Sequence, residues 1–329
     1  MKACVTGATG FIGSKLCLWL KEQGYAVVAL GLVNNDVEQQ RKNTLESEGV
    51  KVVLGNVTEK DTLQPLLEGC DTVFHLAAAQ HEANVPDQYF RDINVDGTKN
   101  ILEASVAAGI EHFVHGSTIG IYGDAMDGEL DEDSRQLPAN IYGITKLEGE
   151  KVALSYSDKL NLVVIRISET YGPGDGRLLK LFKGIKKGTF FVIGSGKNIH
   201  QLIYVDDLIR GMHAAATSEG LSGKVFVLAG QETLSTTQMC EHVACAVESS
   251  PPWLKVPLFP FVIIATILEI VCKPLGIQPP LHRRRLDFFH KSFFFNNTKA
   301  ENELKFKSSI SFAEGTKLTA KWYKEQKWL

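Results

Sequence analysis

A chain of 329 residues, 44% hydrophobic and 22% charged, has the length and composition to enclose a substantial core, which excludes a disordered or fibrous protein. Its net charge of −3 supplies no positive field to gather polyanions, so nucleic acid is not an expected partner. Six cysteines (Cys4, Cys17, Cys70, Cys240, Cys245 and Cys272) form no C-x-x-C pair, which excludes a disulfide scaffold and reads as reduced, mostly buried side chains of a cytoplasmic protein. Cys240 and Cys245 bracket His242, but the spacing is not that of a zinc knuckle and no metal is expected.

The chain opens with a strand expected at residues 3–5 and passes at once into Thr6-Gly7-Ala8-Thr9-Gly10-Phe11-Ile12-Gly13, which begins a helix over 11–23. No long apolar run of a secretory leader is present, so Met1 is expected to be the mature start. Gly7 suits a tight turn, Gly10 lets backbone N–H groups approach a pyrophosphate, and Gly13 lets the helix lie close to the strand. Further strands are expected at 26–30, 50–54, 72–76, 112–115 and 162–165, with helical patterns between them, 97–108 among these. His75 and His115 read as strand-end residues, and Asn94 as a helical residue bonding its own backbone.

Past the strand at 112–115, Ser117 and Thr118 put hydroxyls at the carboxyl edge of the sheet, where doubly wound sheets bind ligands. Tyr142 and Lys146, four residues apart, share one face of a helix, with Cβ atoms roughly 5–6 Å apart. There the ammonium favours the phenolate, lowering a pKa ordinarily near 10 toward the range of a useful acid or base. The whole pattern predicts an α/β fold: a Rossmann doubly wound parallel sheet with a smaller C-terminal substrate lobe. Residues 1–167 are assigned to the dinucleotide-binding domain and 168–329 to the lobe, with elements near 203–228 returning to the main domain. The lobe begins with the cluster Gly172-Pro173-Gly174-Asp175-Gly176.

Late in the chain, 258–272 is the most hydrophobic stretch, and its charge-free core over 258–268 is short of the ~20 residues of a membrane span. It reads as a buried lobe helix, the wall of an apolar pocket or a membrane-surface contact. The run Arg283-Arg284-Arg285 reads as a solvated turn ahead of an anion site.

The glycine spacing G-x-x-G-x-x-G in Thr6 to Gly13 resembles the N-terminus of the extended short-chain dehydrogenase/reductases, the NAD-dependent epimerase/dehydratase family. The likeness continues through Val73-Phe74-His75-Leu76-Ala77-Ala78, the helix at Ile93 to Asn100, Tyr142-Gly143-Ile144-Thr145-Lys146, Tyr171-Gly172-Pro173 and Tyr204-Val205-Asp206-Asp207, and so covers nearly the whole chain. The resemblance implies NAD or NADP held by Gly7, Thr9, Gly10, Phe11, Ile12, Gly13, Asn56, Val57, Leu76, Ala77, Ala78, Ser117, Tyr142 and Lys146. It also implies a catalytic trio: Tyr142 exchanging a proton with the substrate, Thr118 polarising the substrate oxygen, and Lys146 holding the cofactor ribose. Ser117 is the competing hydroxyl.

Three departures bear on the reaction. Nucleotide-sugar epimerases and dehydratases of this scaffold often carry an Asn where this chain has Glu169 and an Arg where it has His200, which weakens the case for a nucleotide-diphosphate substrate. Gly31 stands where an acid often takes the ribose hydroxyls, so dual cofactor use or a mild NADP preference is expected, with Arg41 or Lys42 reaching a 2′-phosphate and Asp36 as a rival for the ribose. The tail from 258 through Lys273-Pro274-Leu275-Gly276 to Arg285 resembles 3β-hydroxysteroid dehydrogenase-like and dihydroflavonol-reductase-like members. Together these imply an oxidoreductase interconverting an alcohol and a ketone on a largely apolar small molecule, steroid-like or flavonoid-like. The runner-up is a nucleotide-sugar epimerase or dehydratase. A non-catalytic dinucleotide-sensing protein comes third, because a retired site has no reason to keep Thr118, Tyr142 and Lys146. No transmembrane span is expected; a peripheral membrane contact and a homodimer both remain open.

Overall fold

The computed structural model describes every residue except 81–84, 126–127, 273–285, 287 and 290, so the arginine run at 283–285 lies outside the described residues. Seven parallel strands form the main sheet: β1 (Lys2–Thr6), β2 (Ala26–Gly31), β3 (Lys51–Leu54), β4 (Thr72–His75), β5 (His112–Thr118), β6 (Asn161–Ile167) and β7 (Val225–Leu228). Their spatial order is β7-β6-β5-β4-β1-β2-β3, so the winding direction reverses between β1 and β4. The crevice for a ligand opens there, beyond the strands' carboxyl ends.

The strands are legible as apolar runs because both faces of the sheet are covered. Successive residues feed opposite cores. Val5, Phe74, Val114 and Ile165 pack with helices α1 (Phe11–Glu22) and, further along the chain, Val205–Thr217. Their neighbours Cys4, Val73, Phe113 and Val164 pack on the other side with the helices Lys60–Leu67, Gly97–Ala108 and Ile141–Leu154. In chain order after α1 the described helices of eight residues or more are α2 (Asp36–Ser47), α3 (Lys60–Leu67), α4 (Gly97–Ala108), α5 (Ile141–Leu154), α6 (Leu179–Lys186), α7 (Val205–Thr217), α8 (Thr236–Ala246), α9 (Leu258–Cys272) and α10 (Phe312–Glu325). β5 runs past its apolar stretch to Thr118, because Gly116, Ser117 and Thr118 keep their ladder with Ile165, Arg166 and Ile167. That extension carries the two hydroxyls to the sheet edge.

Beside the sheet, α6, α8 and α10 close a second core around Phe182, Met239, Val243 and Tyr323, joined by Tyr171 and Tyr204. Helix α9 lies against this part through Ala265, its one buried residue, which packs with Ile193 and Leu286. The reading of 258–272 as a buried lobe helix is therefore overturned: Phe259 is 72% exposed and Ile270 67%. Hydropathy shows that a helix is apolar, whereas burial depends on how many of its sides find a neighbour, and α9 finds one on a single side. Among the described residues no helix is long and apolar enough to cross a membrane.

Candidate active site

The first loop is built by close approach. Gly7 has φ +68°, and a Cβ on it would lie 2.8 Å from the backbone of Leu76 and Ala77. A Cβ on Gly13 would lie 2.2 Å from the Gly7 carbonyl oxygen, so only glycine lets α1 sit this close to the loop. Gly10 caps α1 without a side-chain hydrogen bond, and the first turn holds no acid. Phe11 and Ile12 begin that turn, with its partial positive charge toward the crevice, and the arrangement fits a dinucleotide pyrophosphate. Thr6 ties the end of β1 to the exit of β4: its hydroxyl oxygen accepts from the N–H groups of Leu76 and Ala77 at 3.2 and 3.1 Å. Ala78 follows directly, and Asn56 and Val57 stand at the exit of β3, where Asn100 donates to the Val57 carbonyl at 3.1 Å.

Thr9 turns its hydroxyl to the Leu32 carbonyl at 2.6 Å, which explains Gly31: a Cβ there would lie 2.6 Å from Thr9 Oγ1, leaving no room for an acidic side chain. Arg41 donates to the carbonyls of Thr9 (3.3 Å) and Gly174 (2.8 Å), and Lys42 pairs with Glu46 one turn on at 2.8 Å. Asp36 stands exposed in the first turn of α2.

The candidate reaction centre lies where α5 meets the end of β5. Asn140 caps α5 by accepting from the Gly143 N–H at 3.1 Å, and a Cβ on Gly143 would lie 2.7 Å from the Gly120 carbonyl, so the helix start is pressed onto the Ile119–Ile121 turn. Thr118 begins that turn, its hydroxyl accepting from the Gly120 N–H at 3.1 Å. The space over Gly120 is bordered by both side chains: a Cβ built there would be 3.4 Å from Thr118 Oγ1 and 3.7 Å from Tyr142 Cε1. Lys146 is 3% exposed and donates to the Gly116 carbonyl at 2.6 Å. Burial pushes its pKa down to about 8, against the opposing pull of Glu150. Thr118, Tyr142 and Lys146 are thus brought together at one end of β5.

Ser117 points elsewhere. Its hydroxyl donates to Glu150 at 2.6 Å, and Glu150 is paired with Arg166 at 2.7 Å; Arg166 in turn donates to the Tyr122 hydroxyl at 2.8 Å and the Glu132 carbonyl at 2.6 Å. This buried network supports α5 from behind, and the sequence reading missed it. The available signal was Glu150, one helical turn beyond Lys146. Asn94 also needs correction: it sits in a π-helical turn, Asp92–Asp96, and bonds away from its own helix. Its amide nitrogen donates to the Ala79 carbonyl and Thr145 hydroxyl while its oxygen accepts from the Ala79 N–H, joining the exit of β4 to α5. His75 and His115 are fully buried in their strands. His75 bonds Thr6 (2.8 Å) and Thr98 (3.0 Å), and burial followed by the nearby Lys146 pushes its pKa down to about 3, so its ring is neutral and structural.

Beyond β6, the two departures from the nucleotide-sugar pattern prove to be neighbours. The Glu169 carboxylate lies 3.8 Å from His200 Nδ1 and 3.5 Å from Arg177. Burial raises its pKa, but His200 and Arg177 outweigh that and hold it below the usual carboxylate range. The His200 ring stacks on Phe288 at 4.4 Å between centroids and bonds Asn198 and Thr236.

A family model described as "NAD dependent epimerase/dehydratase family" matches residues 3–229. The uncharacterized UDP-glucose epimerase YtcB of Bacillus subtilis (strain 168) is 31% identical over 256 residues, 73% of this chain and 80% of its own length. The sterol-4-alpha-carboxylate 3-dehydrogenase, decarboxylating, of Mus musculus is 25% identical, over 97% of this chain and 90% of its own. Among solved structures, UDP-glucuronic acid 4-epimerase from Bacillus cereus, in complex with UDP-glucuronic acid and NAD, superposes with a TM-score of 0.79 at 25% identity, over 99% of this chain and all of that one.

Proposed function

The chain belongs to the NAD-dependent epimerase/dehydratase family, and from that premise we propose that it is an NAD(P)-dependent oxidoreductase interconverting an alcohol and a ketone on a largely apolar substrate. Gly7, Thr9, Gly10, Phe11, Ile12 and Gly13 would hold the cofactor phosphates, and the segments at 56–57 and 76–78 would line its crevice. When bound there, the nicotinamide supplies the hydride acceptor or donor. Tyr142 moves the proton to or from the substrate oxygen, and Thr118, across the space over Gly120, donates a hydrogen bond to that oxygen. Lys146 presents a buried ammonium that steadies the phenolate form of Tyr142 and bonds the ribose. Free cysteines at all six positions accord with a cytoplasmic setting.

The observation that carries the choice of substrate is the Glu169 carboxylate beside His200. A diphosphate calls for unopposed donors, and here Arg177 is already paired with the Glu169 carboxylate, which also lies beside His200. The likeness to the mouse sterol-4-alpha-carboxylate 3-dehydrogenase supports the same direction. The test is turnover of a steroid, a flavonoid and a long-chain ketone against UDP-glucose and UDP-glucuronic acid, with NAD and NADP each supplied. Turnover of an apolar member with neglect of both UDP-sugars is expected. Efficient turnover of a UDP-sugar with none of the ketones would replace this reading by the epimerase one, which the likeness to YtcB favours.

A further inference from the structure

Helix α9 inverts the usual arrangement of a surface helix, whose exposed side is polar. At 100° per residue, Phe259, Ile270, Ile263, Ile267, Val271 and Ile264 fall on one continuous arc of about 140°. No charged or polar residue interrupts that arc. All six are exposed, from 42% at Ile263 to 72% at Phe259, while Ala265 on the opposite side is buried. Just ahead of the helix stand Trp253, 88% exposed, and Leu254, 41% exposed. This apolar surface amounts to several hundred square ångströms, a size that marks an interaction site on a folded protein.

The character of the surface selects its occupant. Protein partners are met through about one hydrogen bond per 100–200 Å² and a polar rim, and an arc of aliphatic side chains offers neither. An exposed Trp a few residues ahead of an aliphatic helix face in the chain suits a membrane interface, where an indole sits at the headgroups. Charge agrees. From 269 to 287 the sequence carries Lys273, Arg283, Arg284 and Arg285 against Glu269 and Asp287, an excess of cations in a chain whose net charge is −3. Such a local excess of cations is attracted to anionic lipid. A 15-residue helix is about 22 Å long, short of the roughly 30 Å hydrocarbon core, so α9 suits the plane of the interface and not a crossing.

We propose that the α9 face docks the protein on the surface of an anionic lipid bilayer, with Trp253 at the headgroup level. The assignment is independent of the substrate reading, since adsorption needs neither cofactor nor turnover. It would also bring the enzyme to the phase in which apolar alcohols and ketones collect.

The experiment is co-sedimentation of the full chain with vesicles of phosphatidylcholine alone and of an equal mixture with phosphatidylglycerol, alongside Trp253→Ala and the double variant Ile263→Asp/Ile267→Asp. These side chains are exposed, so melting temperatures close to that of the unchanged protein are expected. The protein should bind the mixed vesicles at least tenfold more tightly than the neutral ones. The double variant should lose at least tenfold in affinity for the mixed vesicles, and Trp253→Ala should lose affinity in the same direction. Failure to bind either vesicle, or equal binding by the double variant, overturns the proposal. So does a concentration-dependent dimer in sedimentation velocity that the same substitutions abolish, for the face then joins two copies of the chain.

Discussion

Replacing Lys146 by Met should make the cofactor-free protein more stable at neutral pH while destroying its activity. Burial lowers the Lys146 pKa from 10.5 to about 8, and at 1.36 kcal/mol per unit that is a cost of about 3 kcal/mol for holding the ammonium in the fold. Met fills similar volume without the charge, but leaves the Gly116 carbonyl without its 2.6 Å donor, a loss of about 1–3 kcal/mol. The net expectation at pH 7 is a gain of about 1 kcal/mol for the variant. Below pH 8 both folded and unfolded wild-type chains keep the proton, so the difference is constant. Between pH 8 and 10.5 the unfolded chain binds a proton that the folded one has released, and wild-type stability rises relative to the variant by about 3 kcal/mol. The order of stability should therefore reverse. Urea unfolding of both proteins at pH 7, 8, 9 and 10 reads this directly. A variant less stable at pH 7, with a gap that does not change up to pH 10, would refute the account of Lys146 as a charge held at a cost.

Tyr142→Phe should lower kcat by about 10²- to 10⁴-fold and leave NAD affinity within a fewfold, since the phenol serves proton transfer; single-turnover kinetics and calorimetry separate the two. Gly13→Ala places a Cβ 2.2 Å from the Gly7 carbonyl, so NAD affinity should fall at least tenfold in a calorimetric titration, with a lower melting temperature. Arg41→Ala removes the link between Thr9 and Gly174 and should weaken NAD and NADP alike; a loss confined to NADP would show that Arg41 reads the 2′-phosphate. Glu150→Gln leaves Arg166 buried beside an uncharged partner and should cost about 3–5 kcal/mol in urea unfolding.

Much of the architecture was readable because parallel strands covered on both faces are written as short apolar runs, as in Ala3-Cys4-Val5 and Val73-Phe74. The glycines of the first loop were readable too, since each lies against backbone that a Cβ would crowd, Leu76 and Ala77 for Gly7 and the Gly7 carbonyl for both Gly10 and Gly13. Tyr142 and Lys146 are local in sequence, and one helical turn brings them together. What stayed hidden depends on distant partners. Ser117, Glu150, Arg166 and Tyr122 meet only through the packing of α5 on β5 and β6, and no spacing rule announces that. Asn94 looked like any polar helical residue, because a π turn leaves no mark in composition. The bonds of Arg41 to the Thr9 and Gly174 carbonyls are of the same kind, since they join segments 32 and 133 residues away in the chain. For α9 the residues told how apolar it is, and only the neighbours told which side is covered.

The Arg41 contact with Gly174 has a consequence for how the protein is made. Gly174 is followed by Asp175, whose carbonyl accepts the hydroxyl of Tyr323, in the last helix. The loop near residue 10, a strap at residue 174 and the final turns of the chain are therefore one connected structure. A polypeptide still emerging from the ribosome can pair its first strands early, but it cannot complete this closure until residue 323 has left the exit tunnel. Ligand binding by stalled nascent chains of increasing length should accordingly rise in a late step, not in proportion to the length of Rossmann sheet already made.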